Sequence, residues 1–321
     1  MEARSLPATQ LSQMLVKEAS VIDISGKIET LRVAVAESRV IAKKETIDRL
    51  VRGETPKGDV LNIARAAAVL AVKKTHELIP YCHPLLIDSA KIDFESRETE
   101  IVIRVEIKTV AKTGVEMEAL TGAIIAALTI YDMAKGIDKE VVIGETKLVK
   151  KRGGKSDYEE TFLTPLKAAV LVTSDSVSAG KKTDKSGKII VEEMKRFSVD
   201  VKYSEIVPDD RDTILKKILG WTEEGIDLVV TTGGTGLGPR DVTVEAVREL
   251  IEKDVPGIAE TMRAYGQRRT PYAMLSRGVI GIRGQTLLIT LPGSSNGVRE
   301  SLAAIFPNVL HAFNMMRGGG H

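Results

Sequence analysis

The sequence contains very little cysteine: Cys82 is the only one among 321 residues. A single thiol excludes an internal disulfide framework, and it excludes every zinc or iron–sulfur site built from several cysteines. It also agrees with what we expect of a protein kept in a reducing cytoplasm.

The sequence also lacks an excess of either charge and a long apolar run. Its 46 Lys and Arg residues nearly balance 44 Asp and Glu residues, so no large cationic field is available for nucleic acid. The apolar runs are far shorter than the ~20 residues that span a bilayer. The first residues, MEARSLPATQ, lack the apolar core of a secretion signal. We therefore expect a cytoplasmic protein with no nucleic-acid or membrane partner.

The length and composition predict two folded domains. At ~150 residues per domain the chain has room for two, and hydrophobic and charged fractions of 43% and 28% favour packed cores over disorder. The polar stretch KKRGGKSDYEETFLTPLK, around residues 151–166, has the glycine and proline content of a linker. The predicted domains are residues 1–157 and 158–321.

The first half shows the pattern of an α+β domain. Asp59–Lys74 and Val115–Met133 have apolar residues at helical spacing. Ile92–Glu95 and Ile101–Thr109 alternate apolar and polar residues, with a turn at Arg97–Glu100. Helices packed on an antiparallel sheet follow from this pattern.

The second half shows the pattern of a three-layer α/β domain. Continuous apolar strands alternate with helices, which predicts a mostly parallel sheet covered on both faces. The predicted strands are Ala168–Thr173, Val201–Ile206, Asp227–Thr231, Val279–Ile282 and Thr286–Thr290. The predicted helices are Lys188–Arg196, Arg211–Leu219, Val242–Ile251 and a last one from about Gly297 to Met316.

Four polar segments each follow a predicted strand of the second half. They are Ser174-Asp175-Ser176, Pro208-Asp209-Asp210, Gly233-Gly234-Thr235-Gly236 and Pro292-Gly293-Ser294-Ser295-Asn296. Ligands of open parallel sheets bind beyond the carboxyl ends of the strands, so these segments predict one shared pocket.

The glycine loop and two aspartates indicate the chemistry of that pocket. Glycines let backbone amides approach an anion, although this loop lacks the Walker lysine and could equally be a tight strand–helix turn. Asp209 and Asp241 are candidate Mg²⁺ ligands at a phosphoryl-transfer centre. For either aspartate alone, an exposed loop acid or a helix N-cap is the more common role.

Three motifs of the second half resemble a known family. TTGGTGLGPRDVTVEAV, VTSDSVSAG and LPGSSNGVRESL, within about residues 165–317, are similar to the molybdopterin-binding family that includes molybdopterin adenylyltransferases. The resemblance implies transfer of an adenylyl group from Mg²⁺-ATP to the terminal phosphate of molybdopterin, with functional aspartates at Asp209 and Asp241. Ser295 stands where the family often has a second proline. The candidate substrate-binding residues are Ser174, Asp175, Thr232, Gly233, Gly234, Thr235, Gly236, Pro292, Gly293 and Ser294.

The first half carries charged residues on its second long helix. Asp132 and Lys135 are three residues apart and so share a helical face, and Glu118, fourteen residues earlier, is expected on much the same side. A Lys–Asp pair can perform general acid–base chemistry if the lysine is desolvated. The alternative for this pair is a surface salt bridge. For Cys82 and His83, a buried thiol beside an imidazole is favoured over a metal pair.

The first half resembles the cyclic pyranopterin monophosphate synthases of the MoaC family. The likeness covers about residues 18–157 and includes KGDVLNIARAAAVLAVKKTHELIPYCHPL and KTGVEMEALTGAIIAALTIYDMAKGID. It implies a ferredoxin-like subunit of a hexamer, with sites at subunit interfaces, that converts a cyclised dihydroguanosine triphosphate to cyclic pyranopterin monophosphate and pyrophosphate. The implied catalytic pair is Asp132 and Lys135. The implied substrate-binding residues are Lys57, His83, Glu116, Met117, Glu118 and Lys155.

Both halves are therefore expected to be enzymes of molybdenum cofactor synthesis. In one alternative the second half is a non-catalytic pterin-binding or scaffold module; in another the first half only drives oligomerisation. The expected ligands are pterins and nucleotides, with ATP and Mg²⁺ in the second half. A trimer or hexamer suits both families, and contacts with other enzymes of the pathway are possible.

Overall fold

The computed structural model describes residues 20–158 and 160–319, with the side chains of Lys155 and Ser156 outside the description. Two compact units are present. Of the described residues, 20–25 and 29–157 form the first unit, and 26–28 together with the residues from 158 onward form the second.

The first unit is an antiparallel sheet with helices packed on it. Its elements are β1 (Thr30–Ile41), α1 (Lys44–Arg52), α2 (Val60–Lys73), α3 (Thr75–Leu78), β2 (Ser89–Ser96), β3 (Glu100–Ala111), α4 (Glu116–Ala134) and β4 (Val142–Arg152). The strand order is β2-β3-β1-β4, and all three pairings are antiparallel. The unit is thus of the α+β class, while the finer ferredoxin-like assignment stays an expectation. β1 and β4 were not predicted from the sequence.

Helix α4 is the central helix of the first unit. Its small residues allow a close approach: a Cβ on Gly122 would lie 2.8 Å from Val72 Cγ2 and 3.2 Å from Val105 Cγ1. Among the described residues, α4 is the one helix long and apolar enough to cross a membrane. Of its most apolar 18-residue segment, 56% is buried within the protein. Burial of this kind is what a core helix requires.

The second unit is built on a mixed, mainly parallel sheet. Its elements are β5 (Lys167–Thr173), α5 (Asp175–Ser178), α6 (Ser186–Arg196), β6 (Asp200–Val207), α7 (Arg211–Glu223), β7 (Leu228–Thr232), α8 (Thr243–Leu250), β8 (Lys253–Asp254), α9 (Pro256–Gln267), β9 (Ile280–Arg283), β10 (Thr286–Leu291), α10 (Ser295–Ile305) and α11 (His311–Met316). The order is β6-β5-β7-β10-β9-β8. The first three pairings are parallel and the last two are antiparallel.

Two hydrophobic cores cover the two faces of this sheet. Along β5, Ala168 and Val170 belong to the core formed with α6, α9 and α10, whereas Ala169 and Leu171 belong to the core formed with α7 and α8. Alternate side chains of a strand point to opposite faces, so a strand covered on both sides is apolar throughout. The predicted three-layer arrangement is therefore observed.

The prediction of one last helix from Gly297 to Met316 was wrong. Helix α10 ends at Ile305, and Phe306 is extended, with φ −88° and ψ 143°. Pro307 follows; it has no N–H to donate and disfavours helical backbone in the residue before it. The chain resumes as a short 3₁₀ turn and then as α11.

Candidate functional sites

The segments that follow β5, β6, β7 and β10 meet at one edge of the second sheet. They surround a cavity of 390 Å³, here called the first pocket. Its lining includes Ser174, Ser176, Lys182, Asp184, Lys185, Asp209, Thr232, Gly233, Gly234, Asp241, Gly293 and Ser295. The Thr232 hydroxyl donates to the carbonyl of Pro292 at 2.8 Å and so ties the glycine loop to the segment after β10.

Asp209 presents one carboxylate oxygen without a protein donor. Its Oδ2 accepts a hydrogen bond from the Asp175 amide at 3.0 Å, whereas its Oδ1 is buried and has no hydrogen-bond partner. Burial raises the pKa of Asp209, and the negative charges of Asp175 and Asp241 raise it further. A buried acceptor of this kind needs a hydrogen-bond donor or a cation, which water or a ligand can supply.

Asp241 is held by the loop that carries it. Its Oδ2 accepts from the Gly238 amide at 2.8 Å, and a Cβ on Gly236 would lie 2.7 Å from the same oxygen. Neither Asp241 nor Asp209 is a helix N-cap, because the residues in those positions are Val242 and Asp210. The N-cap alternative is therefore wrong for both aspartates.

The two aspartates fit a magnesium ion that is shared with a nucleotide. Within residues 20–158 and 160–319, no group of three or more His, Cys, Asp or Glu side chains is arranged to hold a metal ion. Mg²⁺ keeps several waters and is commonly bound by one or two carboxylates together with substrate phosphates. The unpartnered Oδ1 of Asp209 and the nearby Asp241 match that requirement.

The glycine loop lines the first pocket, but it is not a tight strand–helix turn, because the ten residues 233–242 separate the end of β7 at Thr232 from the start of α8 at Thr243. Gly233 and Gly234 have φ of +100° and +57°. A Cβ on Gly233 would lie 2.1 Å from the carbonyl oxygen of Thr173, and one on Gly234 would lie 2.9 Å from Asp209 Oδ1. The tight-turn interpretation is therefore wrong, and anion binding by the loop stays a prediction.

Three basic residues at this site were not predicted. Lys182 and Lys185 line the first pocket, and the run KKTDKSGK, close after the SDS motif, was the signal that could have revealed them. The Arg240 guanidinium pairs with Asp175, with Nη2 2.9 Å from Oδ1 and Nε 3.1 Å from Oδ2. This pair lowers the pKa of Asp175, and the Asp209 amide lowers it further.

The sequence predicted one pocket, but the structure has two at this edge. Thr235, Gly236, Pro292 and Ser294 face a cavity of 450 Å³, here called the second pocket. Its other lining residues include Met262, Arg263, Tyr272, Leu275, Ser276, Glu300 and Ser301. The two loops form a shared wall because successive residues of each loop face different cavities.

In the first unit, two ammonium groups flank one carboxylate. Lys57 Nζ lies 2.7 Å from Asp132 Oδ2, and Lys135 Nζ lies 2.7 Å from Asp132 Oδ1. Hydrogen bonds from Lys135 and Lys57 hold the pKa of Asp132 at about 2, and the same carboxylate raises the pKa of Lys135. In the single chain the lysine is not desolvated, because the side chains of Lys135 and Asp132 are 55% and 52% exposed.

A second group of predicted residues lies at the start of α4. Glu118 is buried, and burial raises its pKa. Cys82 is half-buried rather than buried, and this partial burial raises the pKa of its thiol, as does the charge of Glu118. His83 Nε2 donates to the carbonyl of Ile22 at 2.8 Å. Met117 is 39% exposed, and Glu116 Oε1 lies 3.9 Å from Lys151 Nζ.

The structure does not bring these two groups together within one chain. Glu118 and Asp132 are both on α4, but fourteen residues correspond to a rise of roughly 21 Å along a helix. The two residues were expected on much the same side of the helix from their angular positions about its axis. Their separation along the axis was not part of that expectation. The side chain of Lys155 lies outside the described residues. Beside it, the Gly153 amide donates to Asp157 Oδ2 at 2.6 Å.

Comparisons with known proteins match each unit separately and the chain as a whole. The MoaC family matches residues 21–154, and the family described as "Probable molybdopterin binding domain" matches residues 169–312. The chain is 42% identical over 299 residues to the molybdenum cofactor biosynthesis bifunctional protein of Chlorobaculum tepidum, across 93% of this chain and 95% of that protein. It is 36% identical over 313 residues to the protein of the same name from Synechococcus elongatus, across 94% and 98%.

The first unit also matches a stand-alone protein. It is 55% identical over 140 residues to the cyclic pyranopterin monophosphate synthase of Clostridium perfringens, across 43% of this chain and 89% of that protein. The matches thus define a tandem of a MoaC family domain and a domain of the family described as "Probable molybdopterin binding domain". The chain belongs to the family of molybdenum cofactor biosynthesis bifunctional proteins.

Proposed function

We propose that the two units catalyse two separate reactions of molybdenum cofactor synthesis. The first unit converts a cyclised dihydroguanosine triphosphate to cyclic pyranopterin monophosphate and pyrophosphate. The second unit transfers the adenylyl group of ATP to molybdopterin. The first proposal depends on the cluster of Lys57, Asp132 and Lys135, and the second on the unpartnered Oδ1 of Asp209 beside the glycine loop.

In the first unit, the charges suit a triphosphate substrate. The ammonium groups of Lys57 and Lys135 attract the phosphates, and ionised Asp132 holds both groups in place. A substrate hydroxyl loses its proton to solvent and attacks the α-phosphorus, the new P–O bond closes a cyclic ester, and the bond from the α-phosphorus to pyrophosphate breaks. Lys135, whose protonated form is favoured further because Asp132 raises its pKa, stabilises the charge that develops on the leaving group.

The first-unit site is completed by a second copy of the chain. The Asp132 and Glu118 ends of α4 are roughly 21 Å apart, too far to contact one triphosphate-sized ligand together. A homo-oligomer, trimeric or hexameric, would set the Glu118 end of one copy beside the Asp132 end of another. Closed symmetric assemblies repeat such a contact at every interface.

Replacement of Lys135 by alanine tests the first reaction. We expect Lys135→Ala to lower the rate of cyclic pyranopterin monophosphate formation by about 100-fold or more, a loss of ~2.7 kcal/mol in transition-state stabilisation. The matched control is Lys147→Ala, which breaks an exposed pair with Glu145 at 2.7 Å away from the cluster. The mass of the assembly should be unchanged in both variants. Normal activity of Lys135→Ala would show that the residue is wrongly assigned.

In the second unit, the first pocket suits the triphosphate of ATP. Gly233 and Gly234 of the glycine loop line it together with Lys182 and Lys185, and residues of these types bind phosphate through backbone amides and ammonium groups. A Mg²⁺ ion held by Asp209 and Asp241 would neutralise phosphate charge when bound. An oxygen of the terminal phosphate of molybdopterin attacks the α-phosphorus of ATP, and pyrophosphate leaves.

The second pocket suits the pterin. The same two loops, residues 232–236 and 292–295, line both pockets, so a ligand filling the second pocket can direct its phosphate toward the nucleotide. The ring of Tyr272 offers a surface for a flat heterocycle, and Arg263 and Glu300 offer charged groups for its polar edge.

Pyrophosphate release from ATP in the presence of molybdopterin tests the second reaction. We expect turnover by the full chain, and about a 100-fold loss for Asp209→Asn and for Asp241→Asn. Asp212→Asn is the control, because Asp212 is an exposed acid on α7 outside both pockets. Binding of molybdopterin without turnover would instead support the binding-module function.

A further inference from the structure

The guanidinium of Arg277 uses all three of its nitrogens at one place. Nε donates to the carbonyl of Gly236 at 2.8 Å, and Nη2 donates to the carbonyl of Asp241 at 2.9 Å. Nη1 pairs with the carboxylate of Glu245 on α8. The side chain is 29% exposed, and it lines neither the first nor the second pocket.

These contacts hold the two ends of one loop in place. Gly236 lines the second pocket and Asp241 lines the first, and the chain between them forms the exposed loop Gly236–Asp241. Arg277 comes from a different segment, just before β9, so it fixes the loop from outside. Inside the loop, the Gly238 amide and carbonyl bond to the side chain and amide of Asp241.

The contact requires the shape of a guanidinium. Its planar fork donates in several directions from fixed positions, and the Glu245 carboxylate holds the plane in register with the two carbonyls. A lysine would keep the charge and the attraction to Glu245, but its single ammonium group cannot span both carbonyls from the same position.

We propose that Arg277 is a positioning residue of the second unit, which holds the main chain of Asp241 so that its carboxylate meets a cation and nucleotide together with Asp209. This inference rests on the proposed adenylyl-transfer function. Arg277 acts only through the loop, because its own side chain lines neither pocket.

The test uses the full chain and a binding measurement that needs no turnover. The probe is Mn²⁺ with α,β-methylene-ATP, without a pterin, and the bound cation is counted by electron paramagnetic resonance. We expect Arg277→Gln and Arg277→Lys to weaken Mn²⁺ binding about tenfold, since one of the two carboxylates is no longer held in place. Turnover with ATP and molybdopterin should lose kcat by about tenfold or more in both variants.

Arg283→Gln is the matched control. Arg283, on β9 of the same unit, also donates to a main-chain carbonyl, that of Leu250 at 3.3 Å, and pairs with a glutamate, Glu252, at 3.7 Å. We expect this variant to bind Mn²⁺ within about twofold of wild type, because its contacts are outside both pockets. Melting temperatures of the two glutamine variants measure how much each substitution destabilises the second unit.

Four outcomes separate the possibilities. Wild-type affinity in Arg277→Gln, with or without a lower melting temperature, would overturn the positioning role. Equal weakening in Arg283→Gln would overturn it too, because the loss would then be general. A wild-type chain that binds Mn²⁺ and the analogue without turnover, and loses binding in Arg277→Gln, would refute adenylyl transfer and support Arg277. Failure of wild type to bind Mn²⁺ with the analogue would overturn both.

Discussion

Asp175 and Asp209 hold each other through two reciprocal hydrogen bonds. The Asp175 amide donates to Asp209 Oδ2 at 3.0 Å, and the Asp209 amide donates to Asp175 Oδ1 at 3.1 Å. The pair joins the ends of the adjacent parallel strands β5 and β6. Because Oδ2 of Asp209 is used in this contact, only its Oδ1 is left for a ligand. Arg240 holds the other partner, Asp175.

We predict that substitutions at Asp175 reduce the rate of adenylyl transfer, although Asp175 itself does not touch the reacting atoms. Asp175→Asn keeps an acceptor for the Asp209 amide but loses the charge that binds Arg240, so its kcat/KM should fall about tenfold. Asp175→Ala loses both the acceptor and the charge, so its kcat/KM should fall about 100-fold. The measurement is pyrophosphate release. Asp200→Asn, which breaks an exposed pair with Lys202, is the control. Full activity of the alanine variant would contradict the role.

We predict opposite effects of alanine at two glycines of the second unit. In Gly234→Ala the new Cβ would lie 2.2 Å from Thr243 Oγ1 at a φ of +57°, so the variant should lose ~1–3 kcal/mol of stability and most of its activity. Gly220, within α7, has nothing within 4 Å of its Cβ position. Gly220→Ala should gain ~0.5–1 kcal/mol through helix propensity. Urea unfolding measures both changes, and equal effects would argue against strain at Gly234.

We predict that Lys182 and Lys185 bind the triphosphate of ATP. The double change to glutamine should raise the KM for ATP by about tenfold or more and leave kcat within about threefold, because uniform binding is lost. The same pair of changes at Lys188 and Lys195, on α6 but outside the first pocket, is the control. Added salt should raise the wild-type KM and affect the variant less. An unchanged KM would remove these lysines from the site.

We predict that Glu118→Gln stabilises the first unit while it impairs catalysis. Burial raises the pKa of Glu118 above that of an unfolded chain, so its protonated form stabilises the fold and this contribution is lost as the pH rises through the folded-state pKa. Glutamine is neutral at every pH. The variant should therefore be more stable than wild type at pH 8, with the difference shrinking toward pH 4.

The measurement for Glu118→Gln is urea unfolding of the first unit between pH 4 and pH 8. Glu98→Gln is the control, because Glu98 is an exposed partner of Lys44. A stability difference that does not vary with pH would contradict the assigned cause. Formation of cyclic pyranopterin monophosphate should fall in the Glu118 variant alone.

The fold class of each unit was predictable because the spacing of hydrophobic residues along a helix or strand depends on whether one or both of its faces are buried. The α+β first unit and the mainly parallel second sheet were recognised from that signal. β4 was missed because it is an edge strand whose second half, KLVKKR, is exposed and charged and so weakens the alternation. The last helix was predicted too long because helical apolar spacing continues on either side of Pro307, whereas the helix ends before this proline.

The site contacts were predictable only where the interacting residues are close together in the sequence. The three-residue spacing of Asp132 and Lys135 predicted their shared face, and the structure pairs them, as an exposed salt bridge. Arg240 and Arg277 were missed, since their partners Asp175 and Asp241 are 65 and 36 residues away. Contacts of that range depend on the topology of the sheet, which no local pattern contains.

The length of α4 has a genetic consequence. Under the proposed assembly each polypeptide donates opposite helix ends to two different catalytic centres, so Asp132→Asn and Glu118→Gln damage complementary halves. Mixed oligomers of the two inactive polypeptides would then regain about a quarter of their centres through random association. Two defective alleles of this kind, expressed in one cell, should restore cofactor synthesis that neither supports alone.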